Sequence, residues 1–477
     1  MGPIVLRRLL LLGLAAGAVA WLERPAAAEE ETRRARAEVN AALVCEALDK
    51  AQWFFDANRS GRDAADGNVF PWRGPALVHD GEAVGRDLSG GFFDAGDHVK
   101  FGLPQSTAAA TLALAYQTFG EAFARLPHER TLPTLRHFAD YLMKTVESEE
   151  RIYHQVGDAD YDHAWWGPPE KREAQPKRHG GRPRPVWNDT GADVAGATAA
   201  HLALMHQILR AREPQLAQRC LAKARQAFAY ARAHPRTTTG KGAYGTAYYP
   251  SSDWRDDFAF GGAALYLATG ERQFLEAAEG CGLPLEVTSP PNWDSTHFYA
   301  YLLLYRATRA ERYRAALVRA VESHLRAVRD NGLAFYHDHG WGTLRHAMGM
   351  AFAVALVHRE LGGSERQLHF VEQQVRYLLG DNEFEMSFVI GVGRRWPLHP
   401  HHRGAHTDPA QGPGRMVHEL TGAMVGGPEY VGGERFVFED SAANVISNEV
   451  AIDYQANCVA ALAGYVAIAG LDCKAGR

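Results

Sequence analysis

The chain has 477 residues with 51 basic and 56 acidic side chains, a formal net charge of −5, and 46% hydrophobic residues. This composition excludes disorder over most of the length, and the missing basic excess argues against a nucleic-acid partner. Length alone suggests about three domains. No composition break, Ser/Pro linker or repeated block separates them, so the chain is read as one large all-α domain over 29–477 behind a short leader.

The leader is residues 1–28. Arg7 and Arg8 precede an apolar run from Leu9 to Ala20, and Ala26, Ala27 and Ala28 offer small residues for cleavage. The run is too short to span a bilayer, which favours a signal peptide over an anchor. The mature protein is expected to be exported, soluble and monomeric, with no membrane partner. Five cysteines, Cys45, Cys220, Cys281, Cys458 and Cys473, show neither CxxC nor zinc spacing. They read as mostly buried thiols, with room for one bridge.

Apolar spacing predicts helices near 38–57, 105–120, 130–148, 191–213, 215–234, 255–280 (broken at Gly270), 294–307, 310–328, 341–361, 365–379 and 446–469. Ser364 and Gln367 make a capping box. Short turns between consecutive helices imply antiparallel neighbours. The clearest strand pattern is 387–393. Three long irregular stretches, 58–104, 150–190 and 380–445, are expected to gather at one end and build the site.

Within the first stretch, Asp94 and Asp97 lie among glycines, Ser89-Gly90-Gly91-Phe92-Phe93-Asp94-Ala95-Gly96-Asp97-His98. Two carboxylates on an irregular backbone can converge to hold and deprotonate a water; a plain Asp turn or a calcium loop fits the same residues. Glu449 opens the last apolar helix. Poor solvation there favours the protonated form that a general acid needs, although a first-turn Glu facing the helix dipole is the blander reading. In Pro400-His401-His402-Arg403, alternate residues of extended chain share a face. His401 and Arg403 then point together, a spacing suited to ligand hydroxyls rather than to zinc. Rings cluster at loop–helix junctions: Trp165 and Trp166 after His163, Tyr248 and Tyr249, Trp254, Trp293, and Trp341 four residues before Arg345. Each alone fits the core better than a ligand platform, and it is their concentration at these junctions that favours a functional reading.

Taken together these stretches resemble glycoside hydrolase family 9, the cellulase family. The similarity runs through Arg59–Pro104, VGDADYDHAWWGPPE (156–170), YYPSSDWRDD (248–257), WGTLRHA (341–347), GDN (380–382), the HHR tract with Ser387–Gly393 before it, and Phe438-Glu439-Asp440 through Asn448-Glu449 and Ala451. It implies an (α/α)6 barrel of six helical hairpins and inverting hydrolysis of β-1,4-glucosidic bonds. Asp97 would be the base, Asp94 would help hold the water, Glu449 would be the acid, and Tyr454 would lie near the water. His401 and Arg403 would contact the sugar, with His163, Trp165, Trp166, Tyr249, Trp341 and Arg345 lining the cleft. Inversion needs the two carboxyl groups about 6.5–9.5 Å apart, leaving room for water.

The sequence departs from the family pattern at Ala442, Val445, Gln455 and His346, which bears on subsite preference and leaves every catalytic carboxylate in place. The chemistry requires no cofactor. A structural calcium held by Ser252, Asp253, Asp256, Asp257 and Asp294 is a further expectation, on hard oxygen ligands. The leading expectation is a secreted endoglucanase acting on a β-glucan. Exo-action on cello-oligosaccharides or amino-sugar oligomers, and a carbohydrate-binding barrel without activity, are the rivals.

Overall fold

A computed structural model describes residues 39–287, 289–336, 340–406 and 416–474. The leader read over residues 1–28 lies outside them. Contacts divide the chain into a unit Met1–Asn40 and a body Ala41–Arg477, and the body carries every element below.

Twelve described helices have nine residues or more. In chain order they are α1 (Ala41–Ala51), α2 (Gly102–Thr118), α3 (Thr131–Thr145), α4 (Ala192–Leu209), α5 (Pro214–Ala233), α6 (Arg255–Thr269), α7 (Arg272–Gly280), α8 (His297–Thr308), α9 (Glu311–Leu325), α10 (Thr343–Leu361), α11 (Glu365–Leu378) and α12 (Ile452–Ile468). The even-numbered helices form an inner ring and the odd-numbered ones an outer layer, an (α/α)6 barrel.

Residue type sorts the two layers. The inner helices are buried almost all round: Leu103–Ala115 of α2 and Ile452–Val466 of α12 are continuously enclosed. The outer helices bury one stripe, such as Ala217, Cys220, Ala224, Ala227, Phe228 and Ala231 of α5, and keep a charged face in water. Small residues let the inner helices approach closely. A Cβ on Gly261 of α6 would lie 2.6 Å from the Gly196 carbonyl oxygen of α4. Around the ring α2 packs on α4, α4 on α6, α6 on α8, α10 on α12, and α12 back on α2. Between α8 and α10 the rings of Tyr299 and Phe352 meet at 5.8 Å.

Each inner helix returns through an antiparallel outer one, so all six inner N-termini face the same end. The residues just before those N-termini build the site. Described strands are two residues long at most and serve only to pin loops.

Two expectations require correction. Residues 387–393 form no strand: Val389 makes one isolated bridge to Met424, and Gly391 and Gly393 turn the chain at φ 73° and 81°. The run is apolar because Phe388, Val389, Ile390 and Val392 plug the core beneath a loop. The helix expected over 446–469 is interrupted. A short turn Val445–Asn448 precedes α12, and Glu449 lies between them in extended backbone at φ −63°, ψ 142°. Its carbonyl accepts from Gly426 N at 2.8 Å, and Val450 bridges Val425, so cross-chain pairing displaces the helical bonds.

A single disulfide joins Cys45 to Cys473; Cys220 and Cys458 are buried thiols and Cys281 is half-buried.

Candidate active site

Three loops meet at the N-terminal end of the inner ring and are stitched through their backbones. Ile452 N donates to the Asp94 carbonyl oxygen at 2.9 Å, Arg403 N to Gly96 O at 2.9 Å, and His401 N to Asn448 O at 2.8 Å. Gly96 permits this closeness, since a Cβ there would stand 2.1 Å from the His401 carbonyl oxygen. The loops surround a cavity of about 660 Å³ whose walls include Asp94, Asp97, His163, Tyr249, Trp341, Arg345, His401, Arg403, Glu449 and Tyr454.

The carboxyl groups have opposed environments. Burial pushes Asp97 up, but the His163 hydrogen bond at 2.8 Å, the positive charges of His163 and Arg403 and the Ala95 N–H outweigh it, so Asp97 lies below its ordinary value. Asp94 is driven well above its ordinary value, first by burial and then by the Asp97 charge. One proton therefore resides on Asp94 while Asp97 stays ionised, the arrangement expected of two close carboxyls. Tyr249 OH donates to Asp94 Oδ2, while Asp94 Oδ1 is buried without a protein partner.

Glu449 is pushed up to about 7, chiefly by burial. The Trp341 indole N–H donates to its Oε2 at 3.0 Å and opposes the shift; the Asp97 and Asp453 charges add to it. Tyr454 OH donates to the same oxygen at 3.4 Å. Arg345 stands 3.8 Å from Asp453, whose carboxyl burial raises to about 6, and it also covers the Tyr454 ring. His401 is held down to about 4, first by burial and then by the Arg403 charge. Its Nδ1 donates to the Ala442 carbonyl at 2.7 Å, leaving Nε2 as an acceptor. His402 turns away, with Nε2 against Asn58 Oδ1 at 2.8 Å.

Trp165 and Trp166, expected to line the cleft, are not among the walls of this cavity. The Arg172 guanidinium covers the Trp165 ring at 4.5 Å, and Trp166 packs edge-on against His401 at 5.1 Å and beneath Arg403. Both rings stay half-exposed beside this cavity.

Sequence reasoning missed the buried charges behind these loops. Arg172 is fully enclosed, donating to His98 Nδ1 and to Asp162 Oδ1 at 3.0 Å, and Asp162 in turn accepts the His98 N–H. Asp80 is clamped between Arg184 and Lys100, and the Arg184 guanidinium reaches the His98 carbonyl at 2.6 Å. These charges fix the loop that carries Asp94 and Asp97. Scattered through irregular stretches, they read as ordinary solvated charge; the adjacency of Asp162 to His163 was the one available signal.

The residues expected to hold calcium do not fit the ion. Arg255 occupies both carboxylate oxygens of Asp253; Asp256 Oδ2 accepts from Thr296 N at 2.7 Å and faces His297 Nδ1 at 3.1 Å. Asp257 accepts from Thr296 Oγ1, and Asp294 takes the Ser252 N–H rather than joining that hydroxyl. Among the described residues no three carboxylate or imidazole groups converge as metal ligands.

Comparison with known proteins agrees with this geometry. The profile of Glycosyl hydrolase family 9 matches residues 45–462. Endoglucanase A of Bacillus pumilus is 35% identical across 89% of this chain, which spans only 66% of that relative's length. A cellulase of C. cellulolyticum, also solved in complex with cellobiose, superimposes with a TM-score of 0.80 at 33% identity, over 88% of this chain and 97% of its own. An endoglucanase from Clostridium thermocellum, solved with cellotriose, gives a TM-score of 0.76 at 30% identity over 90% and 71%. With the family profile matched across residues 45–462 and solved relatives superimposing on the barrel, the chain belongs to glycosyl hydrolase family 9.

Proposed function

We propose that this chain is an exported, inverting endo-β-1,4-glucanase acting on cellulose or related β-glucans. The observation that carries the reading is the split of protonation across one cavity: Asp97 ionised beside His163, and Glu449 protonated up to about 7. Such divergence supports the first as base and the second as acid.

Asp97 takes a proton from water as that water attacks the anomeric carbon; Glu449 gives its proton to the leaving glycosidic oxygen. Asp94 and Tyr249 orient the water, whose second anchor is the unpartnered Asp94 Oδ1. His401 Nε2 and the Arg403 guanidinium bind sugar hydroxyls, and Trp341 offers a ring face while tethering Glu449. The water-holding pair supports inversion, because a retaining enzyme attacks with a carboxylate itself. No metal or cofactor takes part in these steps.

Export of a monomer comprising residues 29–477 completes the reading. The Cys45–Cys473 bridge supports it, since such bonds persist outside reducing compartments. Among the described residues no helix is long and apolar enough to cross a membrane.

Anomer-resolved NMR of early cellopentaose hydrolysis tests the reading. An initial α-anomer is expected, with mixed oligosaccharide lengths. An initial β-anomer would overturn inversion, release of one fixed product would overturn endo-action, and tight binding with no cleavage would leave only a carbohydrate-binding barrel.

A further inference from the structure

Tyr244 is the most conspicuous exposed ring of the described residues, 77% accessible at the tip of a hairpin whose strands are Gly240–Lys241 and Ala247–Tyr248. An aromatic left in water usually sits on a mobile tip; this one is clamped. Tyr244 N donates to Asp160 Oδ2 at 2.7 Å and Ala243 N to Asp158 Oδ1 at 3.1 Å. Within the tip, Gly242 N reaches Thr246 O at 3.1 Å. The Tyr161 ring meets Tyr244 edge to face, with centroids 5.9 Å apart and planes at 86°.

Both rings belong to elements that also reach the catalytic cavity. Tyr161 shares the short helix Ala159–His163 with the histidine that binds Asp97. The hairpin that carries Tyr244 continues into Tyr248 and Tyr249 of the cavity wall. Asp160 ties the two together, accepting from Tyr248 OH at 2.9 Å through its other oxygen. Four extended residues span at most about 13 Å, so the ring pair stands within a few sugar units of the cavity. The ribbon-like chain of a β-1,4-glucan presents C–H faces on alternate sides, and a fixed aromatic surface binds such a face without ordering costs of its own.

We propose that Tyr161 and Tyr244 form an outlying stacking platform that grips a distal sugar of a long β-glucan chain, extending the cleft beyond the cavity. This rests on the glucanase reading of the site. The platform acts on ground state and transition state alike, so it governs KM and not kcat.

The experiment compares cellotriose and cellohexaose with the wild type, Tyr244→Ala, Tyr161→Ala and Tyr244→Trp. Loss of one stacked ring raises KM for cellohexaose about fivefold, with kcat and the cellotriose parameters unchanged, and Tyr244→Trp restores wild-type behaviour. Equal effects on both substrates would reveal damage passed through Tyr248 to His163 and overturn the platform, as would no effect on either. Titration calorimetry of cellohexaose, with and without Tyr244→Ala in a Glu449→Gln background that blocks turnover, separates this test from the parent reading. A wild type that cleaves neither oligosaccharide overturns the glucanase assignment, whereas an unaltered Kd in Tyr244→Ala overturns the platform.

Discussion

Replacing Glu449 by Gln separates function from stability in a way that follows from the carboxyl's surroundings. Its ordinary value of 4.5 is raised to about 7 by burial. A carboxyl with a raised value keeps its proton in the folded state after the unfolded chain has lost it. Below pH 4.5 both states hold the proton and the group is neutral to stability. As pH climbs from 4.5 to about 7 folding becomes progressively less favourable, and above that the full cost persists. The shift corresponds to about 3 kcal/mol, reduced to roughly 1–2 kcal/mol because one side of the carboxyl faces solvent in the cavity. Gln removes this cost. At an entropy of unfolding near 2 cal/mol/K per residue, a body of this size gains about 1–2 °C in Tm. Scanning calorimetry at pH 8.5 is expected to find the variant more stable by that margin, and at pH 4 equal to the wild type. Hydrolysis should fall by about 10²–10⁴-fold. A variant less stable than wild type at pH 8.5, or equally stabilised at both pH values, would refute the claim that Glu449 is a costly buried acid.

Four further outcomes follow from other contacts. Trp341→Phe removes the N–H that draws Glu449 downward, so the alkaline limb of kcat against pH should move up by about one unit; a downward move would contradict the hydrogen bond's role. His163→Ala frees Asp97 from the partner that lowers it, and the acidic limb should shift to higher pH by about one unit, read from kcat/KM. Gly96→Ala drives a Cβ against the His401 backbone and should cost about 1–3 kcal/mol in urea melts, with kcat falling further than stability alone explains. Chelation with EDTA should leave Tm within about 1 °C of its starting value, because Arg255 and His297 already occupy Asp253 and Asp256.

The barrel was legible because its helices are long and its two layers differ in composition. Gly270, the expected break, ends α6 at φ 76°, and both bonds of the Ser364–Gln367 capping box form at the start of α11. Where the reading failed, tertiary pairing overrode local pattern. Nothing within residues 446–469 says that Val425 will claim Val450 and open the helix at Glu449. The apolar run of 387–393 carried the burial but not the turns at its glycines. The carboxylates, His401 and Arg403 stood out through motif and spacing. Arg172, Arg184 and Lys100 did not, since a cation's burial depends on which loops cover it. Trp165 and Trp166 stand out as rings in the sequence, but their contacts with Arg172, His401 and Arg403 depend on packing between distant loops.

The proposed base and acid come from far-apart stretches of the body, Asp97 before the first inner helix and Glu449 before the last, and the Ile452–Asp94 backbone bond joins their loops. The proposed chemistry is thereby coupled to closure of the helical ring. A nascent or truncated chain ending before Glu449 would possess the water-binding aspartates but no proton donor, and one more turn of synthesis would still leave α12 unseated against α2. On the proposed reading, hydrolytic competence arrives with the final ring contact, which would make activity itself a reporter of barrel closure.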